Sequence, residues 1–194
     1  MRSFWRGAVV ASFVVIPTVA PAQLSAVRGE RSPVWATLAV GRGDLQVNCG
    51  ICRQADQSSW AADVSLGGWV GPRTALGGEM GAWRLGGDEA TQRLMLFSLV
   101  SQLYPMTKAA AFVKLGVGFM GYRSSDGEQA LSARSLALQA GFGYDIAVKE
   151  RYIVVPHATL VQGFNNGLYL DDAKVTGAAR VKMMRFGLAV GVRR

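Results

Sequence analysis

The chain has 194 residues, 21 Lys and Arg against 13 Asp and Glu, a formal net charge of +8 and a half-hydrophobic composition. That length fits one domain. The cations form no dense tract interleaved with aromatics, which argues against a nucleic-acid partner. After Ile16 no uninterrupted apolar stretch is long enough to cross a bilayer as a helix. A membrane form would therefore have to be a closed β-barrel, because lipid satisfies no backbone hydrogen bonds.

The N-terminus reads as an export signal. Arg2 and Arg6 form a positive region, Ala8 to Ile16 is a short apolar run, and Ala20-Pro21-Ala22 offers small residues for a signal peptidase. Cleavage is expected after Ala22, giving a signal peptide over 1–22 and a mature domain over 23–194. No cysteine follows the cleavage site, so a lipoprotein is not expected.

Eight strands are predicted: about 33–42, 58–71, 74–86, 91–103, 109–122, 133–145, 151–163 and 179–193. Each is about the length that crosses a bilayer at a tilt, roughly 9–11 residues or more. Two show the alternation best. In 111–121, Ala111, Val113, Leu115, Val117 and Phe119 oppose Lys114, Gly116 and Gly118. In 136–144, Leu136, Leu138, Ala140, Phe142 and Tyr144 oppose Ala137, Gln139, Gly141 and Gly143. Successive strand residues point to opposite faces, so one face is greasy and the other small and polar. In a membrane barrel the greasy face turns to lipid. Parity is mixed in the third, fourth and seventh strands; Leu94–Val100 is apolar on both faces.

The connections alternate. Gly71-Pro72-Arg73, Tyr104–Lys108 and Ile146–Glu150 read as tight turns; 43–57, 123–132 and 164–178 read as long polar loops, with 87–90 a short exception. With a periplasmic N-terminus, the short turns face the periplasm and the long loops the outside. Tyr104, Tyr144 and Tyr152 are expected in one aromatic girdle, and Trp60, Tyr122 and Phe164 in the other.

The strands Leu66-Gly67-Gly68-Trp69-Val70 and Leu76-Gly77-Gly78-Glu79, the run Phe112-Val113-Lys114-Leu115-Gly116-Val117-Gly118-Phe119, and Gly141-Phe142-Gly143-Tyr144-Asp145 carry a resemblance at the level of pattern. The chain resembles the small eight-stranded outer-membrane β-barrels of the OmpA/OmpX type over 33–194. The resemblance implies an all-β, eight-stranded antiparallel transmembrane barrel in the outer membrane of a Gram-negative bacterium. It also implies outer-membrane lipids, lipopolysaccharide and the barrel-assembly machinery as partners. Such barrels usually end in an aromatic residue; this chain ends Val190-Gly191-Val192-Arg193-Arg194, and Phe186 is its nearest C-terminal aromatic.

Asp63, Glu79, Lys114, Gln139 and Arg185 fall on the inner parity. Eight strands enclose a space that side chains fill, and an unpaired buried charge is costly. A charge network of Asp63, Glu79, Lys114 and Arg185 plugging the lumen is therefore expected, in preference to an ion path. Inner-face glycines, among them Gly67, Gly77, Gly81, Gly116, Gly141 and Gly187, leave room for those partners.

Cys49 and Cys52 are the only cysteines. Zinc would need further ligands, and a redox dithiol would want a helix N-terminus. A disulfide that shapes the first long loop is the expectation in an oxidising compartment. His157-Ala158-Thr159 is a loose echo of the histidine–serine pair of lipid A deacylases, with threonine in place of serine and no acid evident beside it. The sequence thus points to a non-enzymatic barrel without cofactor or metal, with a structural or surface-interaction role. A lipid A-modifying hydrolase using His157 and a secreted barrel binding an apolar ligand are the alternatives.

Overall fold

A computed structural model of the protein describes residues 34–48, 55–87, 90–106, 110–127, 129–171 and 173–193. The expected signal peptide and the Cys49–Cys52 pair lie outside the described residues. Nine strands follow in chain order: β1 (Val34–Asn48), β2 (Ala55–Trp69), β3 (Thr74–Gly86), β4 (Thr91–Leu103), β5 (Ala111–Ser125), β6 (Ala130–Tyr144), β7 (Ile146–Lys149), β8 (Tyr152–Leu170) and β9 (Ala173–Arg193). Each long strand pairs antiparallel with its sequence neighbour. β1 closes on β9, and β6 pairs directly with β8. The result is a closed barrel of eight long strands with β7 as a short annex. No backbone edge of the eight is left open, the condition for a sheet in lipid.

Alternation decides what each strand shows to either side. On β6, Leu136, Leu138 and Phe142 are exposed while Ala137, Gln139 and Gly143 are buried. On β9, Phe186, Leu188 and Val190 are exposed while Met183, Arg185 and Ala189 are buried. The outer wall is therefore a continuous apolar band, with Leu99 71 %, Phe119 68 % and Leu38 59 % exposed. Water would oppose so much contiguous apolar surface on a monomer; lipid accepts it.

Three features differ from the sequence-based expectation. The segments 43–57, 123–132 and 164–178 are largely strand: β1 and β2 run to Asn48 and from Ala55, β5 and β6 to Ser125 and from Ala130, β8 and β9 to Leu170 and from Ala173. In 123–132 the sequence is small or polar at nearly every position, so that extension lacks the alternation that marks a strand, whereas on β1 Leu45 and Val47 still alternate with Asp44, Gln46 and Asn48; all three extensions keep their backbone pairing. The β8–β9 tip is tied back by Asp171, which adopts a left-handed φ of 47° and accepts a 2.8 Å hydrogen bond from the Ala130 amide. The turn at Ile146–Glu150 contains β7, paired to Tyr152–Val154. Among the aromatics, Trp60, Tyr144, Tyr152 and Phe164 face outward, but Tyr104 and Tyr122 are buried inside.

Candidate functional site: the filled lumen

The inward side chains form three layers. Toward the turns, Trp69, Tyr104 and Phe112 pack ring against ring, with centroids 5.0 and 5.4 Å apart and the ring planes tilted by 41° and 43°. The Tyr104 hydroxyl donates to Asp145 at 2.8 Å, which satisfies the polar end of a buried ring. Trp35 packs in the same region; Cβ atoms added at Gly67 or Gly77 would come within 2.6 and 2.8 Å of its ring. The carbonyls of Leu76 and Leu66 on the paired strands lie closer still, so neither glycine can carry a side chain without moving backbone as well as the indole. Toward the loops, Leu45, Trp83, Leu94, Leu96, Met120, Tyr122, Val161, Val181 and Met183 form a second apolar cluster. The Trp83 indole N–H donates to the Gly43 carbonyl at 2.8 Å.

Between these layers lies a polar belt. Arg185 on β9 donates from Nη2 to Glu79 Oε1 at 2.7 Å and from Nη1 to Asp63 Oδ2 at 3.2 Å. Lys114 on β5 donates to the other Glu79 oxygen at 2.8 Å, and the Ser65 hydroxyl donates to that same oxygen at 3.1 Å. Gln139 donates to Ser98 at 2.7 Å. The structure thus brings Asp63, Glu79, Lys114 and Arg185 together, two acids with two bases, with every one of these side chains nearly inaccessible. Charge-assisted pairs of this kind offset the desolvation that burial imposes. A Cβ added at Gly81 would sit 2.7 Å from Arg185 Nη1. That glycine is the gap through which the guanidinium reaches both acids.

Sequence reasoning did not find Ser65, Ser98 or the packed rings, although Trp35, Trp69 and Trp83 share the inner parity of Asp63 and Glu79. It also missed the neighbour of His157, whose Nε2 lies 3.9 Å from Asp63 Oδ2. His157 faces the lumen on β8, with Nδ1 3.4 Å from the Val155 carbonyl. Thr159, two residues on, is 2 % exposed. The cavity beside these groups, lined by Trp35, Asp63, Glu79, Tyr104, Lys114 and His157, measures about 30 Å3. One or two waters fit in such a volume. A continuous water column does not.

The chain matches no protein-family profile and no curated relative by sequence. Solved structures do match. Neisserial surface protein A superposes with a TM-score of 0.61 at 11% identity, over 86% of this chain and 100% of that one. Ail, the attachment invasion locus protein of Yersinia pestis, gives 0.53 at 14% identity over 85% and 100%. The outer membrane protein OprG from Pseudomonas aeruginosa gives 0.50 at 13% identity over 87% and 99%. At these identities the likeness concerns the fold. The chain thus has the fold of these eight-stranded outer-membrane β-barrels, and its apolar outer wall is the surface that such a fold turns to lipid.

Proposed function

We propose that the protein is a structural or surface-interaction barrel that neither conducts nor catalyses. The observation that carries this reading is the layered lumen. A neutral belt of two acids and two bases lies between two apolar layers, around a cavity of about 30 Å3. Ligand sites usually enclose roughly 300–1,000 Å3, so an apolar ligand inside the barrel has no room. The hydrolase reading fares no better. His157 and Thr159 point into the lumen, and an acyl chain in the bilayer meets the opposite face of β8. Interaction then belongs to the loop-end ribbons of β5–β6 and β8–β9, which extend past the wall.

Fractionation tests the reading. The protein should pellet with outer membranes and run with heat-modifiable mobility, and the purified barrel should give no steady current across a planar bilayer. Soluble recovery from the periplasm would reject the membrane role. Large, stable, ion-selective currents would replace the plug with a channel.

A further inference from the structure

The two rims of the apolar wall differ in charge. Toward the loops, the outward strip of six long strands ends at a cation: Val40 gives way to Arg42 on β1, Ala82 to Arg84 on β3, Met95 to Arg93 on β4, Gly121 to Arg123 on β5, Leu136 to Arg134 on β6, and Met184 to Lys182 on β9. All six cations are exposed. Toward the turns the outward strips end in uncharged residues such as Thr74, Leu103, Tyr144 and Tyr152, and the exposed cations there, Arg73, Lys149 and Arg151, sit in the turns and form no cross-strand row.

The strand register sharpens the contrast. Arg42 lies opposite Trp60, Trp60 opposite Arg84, Arg84 opposite Arg93, and Arg93 opposite Arg123. One unbroken cross-strand row thus holds four arginines and a 73 % exposed tryptophan. Adjacent strands are about 4.8 Å apart, so the row covers roughly 19 Å of wall. Like charges directly opposite one another destabilise a sheet. The Lys114–Glu79, Arg185–Asp63 and Arg185–Glu79 pairs lie in the lumen, and among the described residues no ion pair joins this row to a carboxylate. Asp44 and Asp56 face outward beyond the row, nearer the loop end. Arg42 is steadied by a 2.7 Å hydrogen bond from Nε to Ser58 Oγ, which leaves its terminal nitrogens available.

We propose that this arginine row binds the phosphate groups of a phosphorylated glycolipid of the outer leaflet, of the lipid A type. The proposal rests on the outer-membrane reading above. Five of the six rim cations are arginine, whose planar fork matches phosphate oxygens two at a time. The row sits where the apolar strip ends, the level at which a glycolipid carries its phosphates above its acyl chains. Trp60 between two of the arginines suits the same boundary. Bound phosphates would relieve the repulsion that the bare row carries.

The test uses the full barrel reconstituted in phosphatidylcholine vesicles, with its unfolding temperature read from heat-modifiable mobility. Adding a minor fraction of bisphosphorylated lipid A should raise that temperature by several degrees; dephosphorylated lipid A should not. The triple variant Arg84→Gln/Arg93→Gln/Arg123→Gln should insert normally, be no less stable in phosphatidylcholine alone, and lose most of the rise. The triple variant Arg73→Gln/Lys149→Gln/Arg151→Gln makes the same charge change at the turn end and should keep it. An equal rise with dephosphorylated lipid A, or with phosphatidylglycerol at matched charge, would overturn the assignment while leaving the membrane reading intact. Failure of the wild-type chain to insert would overturn both.

Discussion

β4 carries nearly the same chemistry on its two faces and sends them to opposite fates. Leu94, Leu96 and Val100 are buried at 0–2 %, whereas Met95, Phe97 and Leu99 are 38–71 % exposed. Hydrophobicity cannot distinguish the two faces, and in this strand it gave mixed parity. Neighbours distinguish them. Leu94 and Leu96 are cross-strand partners of Trp83 and Gly81 on β3, residues on the parity of Glu79, so they share its side of the wall. Phe97 and Leu99 are partners of Phe119 and Val117, on the greasy face of β5. The inward face packs against protein at fixed geometry, and the outward face meets a fluid. The same truncation should therefore cost different amounts on the two faces.

The largest effect should come from the belt between the apolar layers. Arg185→Leu leaves Asp63 and Glu79 without their shared partner and is expected to cost about 3–5 kcal/mol. Urea unfolding of the barrel in vesicles, followed by heat-modifiable mobility, measures it. Lys114→Ala should lower stability in the same way while leaving the bilayer silent. A permeable but stable Lys114→Ala barrel would mean that the belt gates a path.

Next comes the inside–outside pair. Leu96→Ala opens a cavity against Trp83 and its neighbours and should cost about 2–5 kcal/mol. Leu99→Ala, on the lipid side of the same strand, should cost distinctly less, because acyl chains refill the space. Equal costs in the same urea titration would mean that the outer wall is packed against protein. Reversing the polarity of the outer wall is a comparable insult: Leu138→Arg should cost roughly 2–4 kcal/mol near the midplane.

The smallest effects are expected outside the barrel wall. Cys49→Ser/Cys52→Ser should leave the unfolding curve unchanged, because a ring this short removes little loop entropy. Thiol labelling of unreduced wild-type protein should find little free sulfhydryl. Stoichiometric zinc or a barrel that no longer folds would contradict the expected disulfide.

Much of the fold was legible because period-2 alternation is a local signal. The strands at 74–86 and 91–103 have the predicted limits, and the closed, antiparallel order follows from short connections. Alternation failed where its cause failed. In 123–132 nearly every residue but Leu131 is small or polar, so strand read as loop. Tyr104 and Tyr122 were expected in the girdles because an aromatic near a strand end fits a girdle equally well. Their inward side shows only through parity with Phe112, Lys114 and Gln102. For the lumen, parity puts Asp63, Glu79, Lys114 and Arg185 on one face, but no local pattern tells which of them meet. Arg185 and Asp63 are 122 residues apart in the chain, and their approach depends on barrel closure and on the gap at Gly81. The nearness of His157 to Asp63 has the same long-range origin.

The most direct test of the outer wall is a scan of single spin labels through β6 from Leu136 to Phe142, in the reconstituted barrel on a Cys49→Ser/Cys52→Ser background. Labels at 136, 138, 140 and 142 should collide with lipid-soluble oxygen and be shielded from a water-soluble nickel chelate. Labels at 137, 139 and 141 should be shielded from both. The reverse pattern, with the even positions packed inside and shielded from oxygen, would make this a soluble barrel with a greasy core and contradict the membrane assignment.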